Sequence, residues 1–413
     1  MRWRVEITVK EPLIIGSGQK SRNVQMTSEM IPGSVWRGSL SERILLALGL
    51  KNYDGCGRVK EKPPADFIDV FNGGMRFGFL YLVPPEKGIS GETIPLPLTA
   101  RTCKDSPGFA GEGHGVWDLL LWKLRKKLNE QVTGIGGCRY GSCGGRLERI
   151  RGYAWTSMDN DGSYQKVKIP KRLFHRTALD RNLETASDGY LYTMEALVPT
   201  SGKEEMVFAG DIWGSEEQYS KLEKLLEEFF ISNDLGFEVR IGTGKSRGFG
   251  RGYFKIKEAS EKKPLEDRFN DFQSALGFDD EFLYFSITLR SPTLVCDDLG
   301  VPVTNISRDV LARYLSVVPA GLEMIVEAST LEWGSYGGWS PAWGLPKPMV
   351  AALNPGSTLV YKVPKREREP AIEFLGLLEE KGLGEYCSAG WGSVVVCDPF
   401  HLIFDICRES DNR

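Results

Sequence analysis

Alternation of apolar and polar residues predicts two units built on one plan. Residues 2–15 alternate and end near a proline, which predicts an opening strand. Residues 282–295 (FLYFSITLRSPTLV) predict a second opening strand that ends in Ser-Pro. Each is followed by helical segments, a glycine-bearing turn and a last strand. This order of elements predicts a degenerate internal repeat of two α+β units.

Apolar residues at helical spacing predict four amphipathic helices. These are residues 31–48, 115–128, 215–232 and 366–383. Shorter apolar-rich pieces predict strands. These are residues 149–156, 165–169 and 189–198. Residues 171–188, which precede the last of them, are predicted to form a basic loop.

A charged stretch divides the chain. Residues 257–274 carry charges of both signs and a proline, which is the composition of a linker. We therefore predict a first domain at residues 1–256 and a second at 275–413. An insert rich in cysteine and glycine is expected within the first, at about residues 83–150.

The most informative stretch is glycine-rich and basic, at residues 239–256 (VRIGTGKSRGFGRGYFKI). It contains four cations and no acid between residues 240 and 251: Arg240, Lys245, Arg247 and Arg251. Glycines separate them: Gly242, Gly244, Gly248, Gly250 and Gly252. Glycine lets backbone N–H groups approach an anion, and lysine and arginine neutralise phosphate. The stretch, with Ser246, predicts a surface for a polyanion backbone; the alternative is a glycine hairpin without a ligand.

Overall charge limits the kind of polyanion binding. The 413 residues hold 52 Lys and Arg against 55 Asp and Glu, a formal net charge of −3. Such a balance excludes a protein that coats nucleic acid by global charge, so any binding is local. The chain has no apolar run of the ~20 residues that span a bilayer and no signal-peptide pattern. We expect a cytoplasmic protein, in which cysteines are metal-bound or free.

Four metal-binding side chains lie in the insert: Cys103, His114, Cys138 and Cys143. The last two lie in GCRYGSCGG, where glycines on both sides let both thiolates turn toward one ion. Three cysteines and a histidine would complete a tetrahedral structural Zn²⁺ site with no open position. The alternative is a set of unrelated free thiols and a surface histidine.

Further polar candidates precede the glycine-rich stretch. Ser34 and Arg37 stand at the predicted start of a helix, whose free N–H groups favour anions. His175, Arg176 and Arg181 belong to the basic loop, and either contact phosphate and bases or, for His175, act as a general base. Asp180 is an alternative candidate for RNA cleavage, but it lies far from the first helix, and we assign it no catalytic role.

Aromatic residues are dense at residues 333–345 (WGSYGGWSPAWGL). Such residues stack on unpaired bases in some RNA-binding proteins. In most proteins they form part of a core or a protein interface, and this second interpretation is favoured here.

Three blocks of sequence resemble the RAMP proteins of CRISPR–Cas effectors. They are residues 11–45, which contain IPGSVWRG, residues 176–197 (RTALDRNLETASDGYLYTMEAL) and residues 240–252 (RIGTGKSRGFGRG). Together with the cysteine-bearing insert and the second domain, they are most similar to the large two-domain RAMP subunit of type III-D complexes. That subunit is the Csx-ten family, which takes the Cas-five-like place.

The resemblance implies two ferredoxin-like (RRM-like) domains and a non-catalytic role. It implies binding of the 5′ handle of crRNA and contact with other RAMP backbone subunits and the large polymerase-like subunit. The runner-up function is a RAMP endoribonuclease that processes guide RNA or cuts target RNA. A third is a general RNA-binding module outside any complex, which the near-neutral charge disfavours. The second glycine-bearing turn, CSAGWGSVVV, lacks the cations of the first.

Overall fold

A computed structural model of the chain describes most of its residues. The described ranges are 1–21, 23–50, 62–84, 91–128, 134–157, 163–180, 185–198, 205–227, 236–277, 281–340 and 344–407. The strands are β1 (Arg2–Val9), β2 (Gly16–Ser21), β3 (Val24–Thr27), β4 (Arg76–Phe77), β5 (Tyr81–Val83), β6 (Gly91–Pro95), β7 (Ala100–Cys103), β8 (Val116–Asp118), β9 (Leu147–Arg149), β10 (Tyr153–Ser157), β11 (Tyr164–Val167), β12 (Lys171–Asp180), β13 (Thr185–Leu197), β14 (Met206–Trp213), β15 (Phe237–Arg240), β16 (Arg251–Glu258), β17 (Phe282–Leu289), β18 (Glu323–Met324), β19 (Trp333–Ser340), β20 (Leu345–Leu353), β21 (Thr358–Pro364) and β22 (Val394–Val396). The helices are α1 (Gly33–Ala47), α2 (Ala65–Asn72), α3 (Leu120–Leu128), α4 (Glu216–Glu227), α5 (Leu265–Leu276), α6 (Arg308–Leu311), α7 (Arg368–Lys381) and α8 (Pro399–Ile403).

The first sheet has the strand order β15-β16-β1-β14-β4, and β5 also pairs with β14. The alternating side chains of β1 explain its central place, because Val5, Ile7 and Val9 are buried on one face. Helices α1, α2 and α4 supply apolar side chains to the same core. Trp36 of α1 is fully enclosed and donates its indole N–H to the Gly78 carbonyl at 2.8 Å. The predicted mixed α+β architecture is therefore present.

The second sheet has the order β18-β21-β17-β22, with α5 and α7 packed on it. Strand β17 pairs antiparallel with a strand on each side, as β1 does in the first sheet. The matched sets are Ile7 opposite Phe208 and Phe254, and Ile287 opposite Leu359 and Val396. The two units thus repeat one arrangement, as the order of elements predicts.

The boundary between the units lies earlier than the composition predicts. Residues 257–274 are not linker throughout, because α5 begins at Leu265. Phe269, Phe272 and Leu276 of this helix are buried in the second core. Their spacing is helical, and this periodicity outweighs the charged composition.

A second difference concerns residues 171–188. The predicted basic loop is instead strand β12, which pairs antiparallel with β13 in a long hairpin. Residues 181–184, between the two strands in sequence, lie outside the described part. An equivalent hairpin of β19 and β20 follows in the second unit. Both hairpins join their unit at one end through the bridges Leu13–Leu197 and Thr293–Leu353.

Buried polar contacts join the insert to the second unit. His401 of α8 and Asp118 are fully buried and approach to 3.0 Å, while His401 also contacts the Thr288 hydroxyl at 2.9 Å. Arg125 of α3 pairs with Asp405 at 2.8 Å. Among the described helices, none has the length and apolar character needed to cross a membrane.

Candidate nucleic-acid interface and metal centre

The glycine-rich stretch forms the loop between β15 and β16. Four of its glycines, at 242, 244, 248 and 250, have φ between 78° and 81°, the left-handed region that glycine adopts without strain. At two of them a side chain would also collide with backbone. A Cβ on Gly242 would lie 2.1 Å from the Ile14 carbonyl oxygen, and one on Gly250 would lie 2.0 Å from that of Ile241. These glycines are therefore required by the shape of the loop.

Backbone hydrogen bonds hold the base of this loop against the segment that follows β1. The Thr243 N–H donates to the Ile14 carbonyl, and the Gly250 N–H donates to the Pro12 carbonyl, both at 2.9 Å. The Phe249 side chain is buried beneath the loop. The tip, residues 246–248, is exposed. The loop therefore presents its tip from a fixed base.

Three of the four loop cations have acidic neighbours at the surface. Lys245 lies 2.6 Å from Glu42, and Arg251 lies 3.3 Å from Glu238. Arg240 lies 3.9 Å from Glu238 and donates to the Lys245 carbonyl at 2.8 Å. Exposed pairs of this kind contribute about 0–1 kcal/mol and exchange readily with other anions.

Arg247 differs from the other cations of the loop. Its Nη1 donates to the Tyr192 hydroxyl at 3.1 Å, and none of the ion pairs found within the described residues involves it. Tyr192 belongs to β13, so Arg247 points from the loop toward the first hairpin. The loop and the hairpin therefore form one surface.

The hairpin contributes an arginine and aromatic face to this surface. Arg172, Phe174 and Arg176 alternate along β12 and share a face. Phe174 meets Phe249 edge to face, with ring centroids 5.3 Å apart. The guanidinium carbon of Arg172 lies 5.7 Å from the Phe174 ring, and that of Arg176 lies 5.9 Å from the Phe249 ring. The charges are thus supported by rings rather than by carboxylates.

Between loop and hairpin lies an open cleft of about 660 Å³. Its walls are Arg176, Thr177, Ala178, Tyr192 and Arg247. In the described part of the chain, no ion pair with a carboxylate neutralises Arg172, Arg176 or Arg247. Three uncompensated guanidinium groups beside aromatic rings can hold phosphate and stack on bases.

The structure separates residues that the sequence places together. His175 faces the opposite side of the hairpin from Arg176, because neighbours in a strand alternate. Its Nδ1 lies 2.9 Å from the Thr193 hydroxyl. Arg181 lies outside the described residues, as does the side chain of Asp180.

Ser34 and Arg37 lie near a crowded helix start. Gly33 is buried, and a Cβ there would lie 1.7 Å from the Phe77 carbonyl oxygen and 2.6 Å from that of Ala389. Carbonyl oxygens at this position oppose an anion, so the predicted anion site at the helix start is not open. Arg37 lies one turn further on, with its guanidinium carbon 5.8 Å from the Phe77 ring. Burial lowers the pKa of Arg37.

The predicted metal-binding residues meet in the insert. The ligand atoms of Cys103, His114, Cys138 and Cys143 all lie within 4.8 Å of one another. The sulfurs of Cys103 and Cys143 are 3.7 Å apart, and that of Cys138 lies 3.6 Å from Nδ1 of His114. Ligands about 2.3 Å from an ion at tetrahedral angles lie about 3.7 Å apart. The cluster therefore fits one tetrahedral metal ion.

The surrounding backbone shapes this cluster. Cys103 ends β7, and the Cys138 N–H donates to the Gly145 carbonyl at 2.7 Å. A side chain on Gly145 would crowd the sulfurs of Cys103 and Cys143, at 3.3 and 3.2 Å. Burial opposes ionisation of Cys103, but hydrogen bonds from the backbone of Ser106 and Asp105 lower the pKa of its thiol to about 7. A thiolate is the form that binds metal.

Comparisons with known proteins give a family. A family model described as the RAMP superfamily matches residues 6–255, which is more than half of the chain. No curated protein matches. A chain in a cryo-EM structure of the type III-B Cmr-beta complex bound to cognate target RNA is 13% identical, over 98% of this chain and 97% of that one, with a TM-score of 0.40. A chain in the structure of that complex bound to cognate target RNA and AMPPnP is 15% identical, over 86% of this chain and 86% of that one, with a TM-score of 0.39. The chain in a crystal structure of Cmr4 is 11% identical, over 63% of this chain and 100% of that one, with a TM-score of 0.26.

Proposed function

Because this chain belongs to the RAMP superfamily, we propose that it binds crRNA in a type III CRISPR–Cas effector complex. In this proposal it is the two-domain subunit of a type III-D complex, with each unit a ferredoxin-like RAMP domain. It holds the 5′ handle of the guide, contacts other RAMP subunits and the large polymerase-like subunit, and works in the cytoplasm. The observation that carries the proposal is the cleft between loop and hairpin, where Arg172, Arg176 and Arg247 have no carboxylate partner among the described residues.

The chemistry of this cleft suits single-stranded RNA. Guanidinium groups form paired hydrogen bonds with phosphate, and their flat faces also stack on bases. Tyr192 adds a ring and a hydroxyl beside Arg247. Unpaired RNA offers phosphates and exposed bases together, whereas a protein partner would need clustered carboxylates.

The acidic neighbours of the other loop cations are compatible with this proposal. Glu42 and Glu238 are 57% and 39% exposed, so their ion pairs with Lys245 and Arg251 are weak. A phosphate can replace either carboxylate. Arg172, Arg176 and Arg247 would make the first contacts, and Lys245 and Arg251 would contribute at lower affinity.

We propose a binding role rather than a catalytic one. A ribonuclease needs a general base with a second acid or a nucleophile within hydrogen-bond reach. His175 contacts a threonine hydroxyl and faces away from the arginines. This geometry gives the endoribonuclease alternative no specific support.

We further propose that the insert holds one structural Zn²⁺. Cys103, His114, Cys138 and Cys143 provide three sulfurs and one nitrogen, the donor set that zinc favours over harder cations. With four protein ligands no position remains for water or substrate. The ion would therefore fold the insert rather than react.

The proposed function is tested by purification of the chain from cells that express a type III-D locus with its CRISPR array. We expect a discrete short RNA and the other effector subunits to copurify with the wild type. The RNA should be depleted with a double variant, Arg176→Ala with Arg247→Ala. Purification of the wild-type chain alone, without RNA or partners, would contradict the proposal.

A further inference from the structure

The second unit repeats the glycine-rich loop in backbone shape but not in charge. Left-handed residues recur at the same spacing, at Gly384, Tyr386, Gly390 and Gly392. By this alignment Cys387 and Ala389 take the places of Lys245 and Arg247. A Cβ on Gly33 of α1 would lie 2.6 Å from the Ala389 carbonyl oxygen, so this loop contacts the first unit. Because it has lost the cations that would hold phosphate, any further RNA contact lies on another element.

A row of side chains on the insert combines an aromatic ring with two cations. The sheet of the insert has the order β8-β7-β9. Trp117 of β8 and Arg149 of β9 both lie directly opposite Arg101 of β7, so the three side chains share one face. Ala100 and Val116 belong to the other face and reach a buried core. The row therefore lies on the face that points away from this core, and each of its members is half-buried.

The two arginines of this row are like charges held side by side. Residues directly opposite in an antiparallel pair have Cβ atoms about 4.5–5.5 Å apart, and like charges there destabilise a sheet. Nη1 of Arg101 donates to the carbonyls of Leu98 and Ala100 at 2.8 and 2.9 Å, which fixes the guanidinium. No ion pair found within the described residues involves Arg101. A bound anion would relieve its repulsion with Arg149.

Two further cations meet this row at a short segment of the second unit. Arg149 and Arg151 both form ion pairs with Glu332, the second of them at 2.8 Å. Lys123 of α3 donates to the hydroxyl of Thr330, two residues before Glu332, at 2.6 Å. The insert and the second unit therefore bring these cations together.

The resulting junction cluster consists of four cations: Arg101, Lys123, Arg149 and Arg151. Over the described ranges, Glu332 is the one acid that forms an ion pair with any of them. Burial lowers the pKa of Lys123, and the neighbouring arginines lower it further against the opposing effect of Asp118. One carboxylate cannot neutralise four cations, so the junction cluster keeps a positive charge.

A single strand of RNA suits the junction cluster better than an acidic protein segment does. Guanidinium groups form paired hydrogen bonds with phosphate, and an indole ring stacks on an unpaired base. An acidic segment would account for the cations alone. It gives no role to Trp117, which packs on none of the buried clusters of the described residues. An RNA strand accounts for both the cations and the ring.

We infer that the junction cluster binds phosphates of the RNA that occupies the cleft of the first unit, and that Trp117 stacks on one of its bases. This inference rests on the proposed function. Glu332 holds Arg149 and Arg151 when RNA is absent, and phosphate replaces it. This exchange is easy because the Arg151 side chain is 66% exposed, where an ion pair is weak. The insert is thus part of the RNA-binding surface.

The test is a titration of the full-length chain with a fluorescein-labelled, mixed-sequence single-stranded RNA at several salt concentrations. Arg101→Ala should weaken binding and lower the slope of log affinity against log salt by about 0.7, whereas Arg101→Lys should keep the wild-type slope. Trp117→Ala should weaken binding by at least about fivefold, and Trp117→Phe should restore most of the affinity because it keeps a ring. Lys224→Ala, at an exposed cation on α4, should bind as the wild type does.

Glu332→Gln provides a readout that a purely structural role would not give. The new amide keeps the size of the side chain and can still accept from Asn354, which lies 3.2 Å from Oε1 of Glu332. The substitution removes the charge that competes with phosphate, so RNA affinity should rise by about two- to fivefold. If Glu332 serves only to join the insert to the second unit, its loss would leave binding unchanged or weaker.

The outcomes separate this inference from the proposed function. Unchanged affinity in Arg101→Ala, Trp117→Ala and Glu332→Gln, with a loss in Arg247→Ala, would overturn the inference alone. Unchanged affinity in all four variants would overturn the proposed function as well.

Two further outcomes bear on the inference. If thermal unfolding shows that Arg101→Ala does not fold, Glu332→Gln decides, and a failure to gain affinity contradicts the inference. If folded Arg101→Ala keeps RNA but loses a copurifying subunit, the row is a protein surface and the inference is wrong. Photo-crosslinking with 4-thiouridine RNA gives an independent readout, since it should label the peptide that contains Trp117.

Discussion

Gly250 shows how a single residue sets the shape of the glycine-rich loop between β15 and β16. Its φ of 80° is left-handed, and a Cβ would lie 2.0 Å from the Ile241 carbonyl oxygen. Gly248 has nearly the same φ, of 81°, but nothing lies within 4 Å of its Cβ position. Comparison of substitutions at the two positions therefore separates the cost of left-handed backbone strain from the cost of a steric collision.

We expect Gly248→Ala to cost about 1–2 kcal/mol, from left-handed strain alone. Gly250→Ala should cost clearly more, because the carbonyl must also move, and residues 241–250 should lose protection against hydrogen exchange. Thermal unfolding and hydrogen exchange of the two variants provide the comparison. Equal stability of both variants would show that the loop relaxes freely around Gly250.

Some site residues could be predicted individually and others could not. The loop cations and the four metal-binding residues can be identified from the sequence. Cations separated by glycines, and cysteines grouped with a histidine, are patterns with few ordinary structural roles. Arg172 and Tyr192 escape sequence prediction, since their importance depends on the pairing of β12 with β13. The alternation Arg172-Phe174-Arg176 was an available signal once this segment is taken as a strand.

At the scale of elements, we expect a metal ion held by Cys103, His114, Cys138 and Cys143 to order the insert. The segments on either side of β8 and α3, at residues 104–115 and 134–146, contain few buried apolar residues, with Phe109 among those that reach a core. Ligation of Cys138 and Cys143 would fix the glycine-rich turn at residues 136–145. Small segments without a core commonly depend on metal in this way.

We predict one zinc ion per chain by elemental analysis of the purified protein. Cys138→Ser should lose it, and proteases should then cut within residues 104–146. Cys296→Ser, which changes a buried cysteine outside the cluster, should retain the metal. A zinc-free wild type whose insert resists proteolysis as well as the Cys138→Ser variant does would refute the metal assignment.

Elements with a buried face are predictable, and protruding ones are not. Helices α1 and α7 lie close to their predicted ranges because each has an apolar stripe that packs on a sheet. Strand β12 projects from the body, so Leu173 remains 53% exposed and the apolar alternation of a half-buried strand is missing. Helix α5 was not predicted because the charged residues around it have the composition of a linker, although its buried residues have helical spacing.

At the scale of the whole molecule, buried ion pairs link the insert to the second unit. Burial would lower the pKa of His401, but the Asp118 carboxylate outweighs it and raises that pKa. Conversely, burial would raise the pKa of Asp118, and the charge and hydrogen bond of His401 lower it. The pair is therefore charged and stabilising between the two pKa values.

The stability contributed by this pair should depend on pH in both directions. The histidine part is complete below its ordinary pKa of about 6.5 and is lost as pH rises through the raised folded value. The aspartate part is complete above about 3.9 and is lost as pH falls through the lowered folded value. His401→Gln leaves the Asp118 carboxylate without its ionic partner and should destabilise by about 3–5 kcal/mol near pH 6, and less at alkaline pH.

Thermal unfolding of the wild type and of His401→Gln from pH 5 to pH 9 measures the effect. His175→Gln, at an exposed histidine, should follow the wild-type curve. A difference between wild type and His401→Gln that stays constant from pH 5 to pH 9 would mean that the pair is not charged.

In the proposed function, a chain with net charge −3 binds a polyanion through local positive charge. Among the described residues, the first loop and the first hairpin carry cations without a carboxylate partner, whereas many cations of the sheets and helices are paired with carboxylates. Sequence order predicts the repeat, but the equivalence of the two loops requires backbone geometry, because Tyr386 stands where the first loop has glycine.

The most direct test of the account is RNA affinity across the cleft of the first unit. The full-length chain is titrated with labelled single-stranded RNA at several salt concentrations, with Arg176→Ala, Arg247→Ala and, as a matched control, Lys224→Ala on α4. We predict losses of at least about fivefold for each arginine variant and a salt slope lower by about 0.7. The control should be unchanged. Wild-type affinity in folded Arg176→Ala and Arg247→Ala variants would contradict the proposal that this cleft binds RNA.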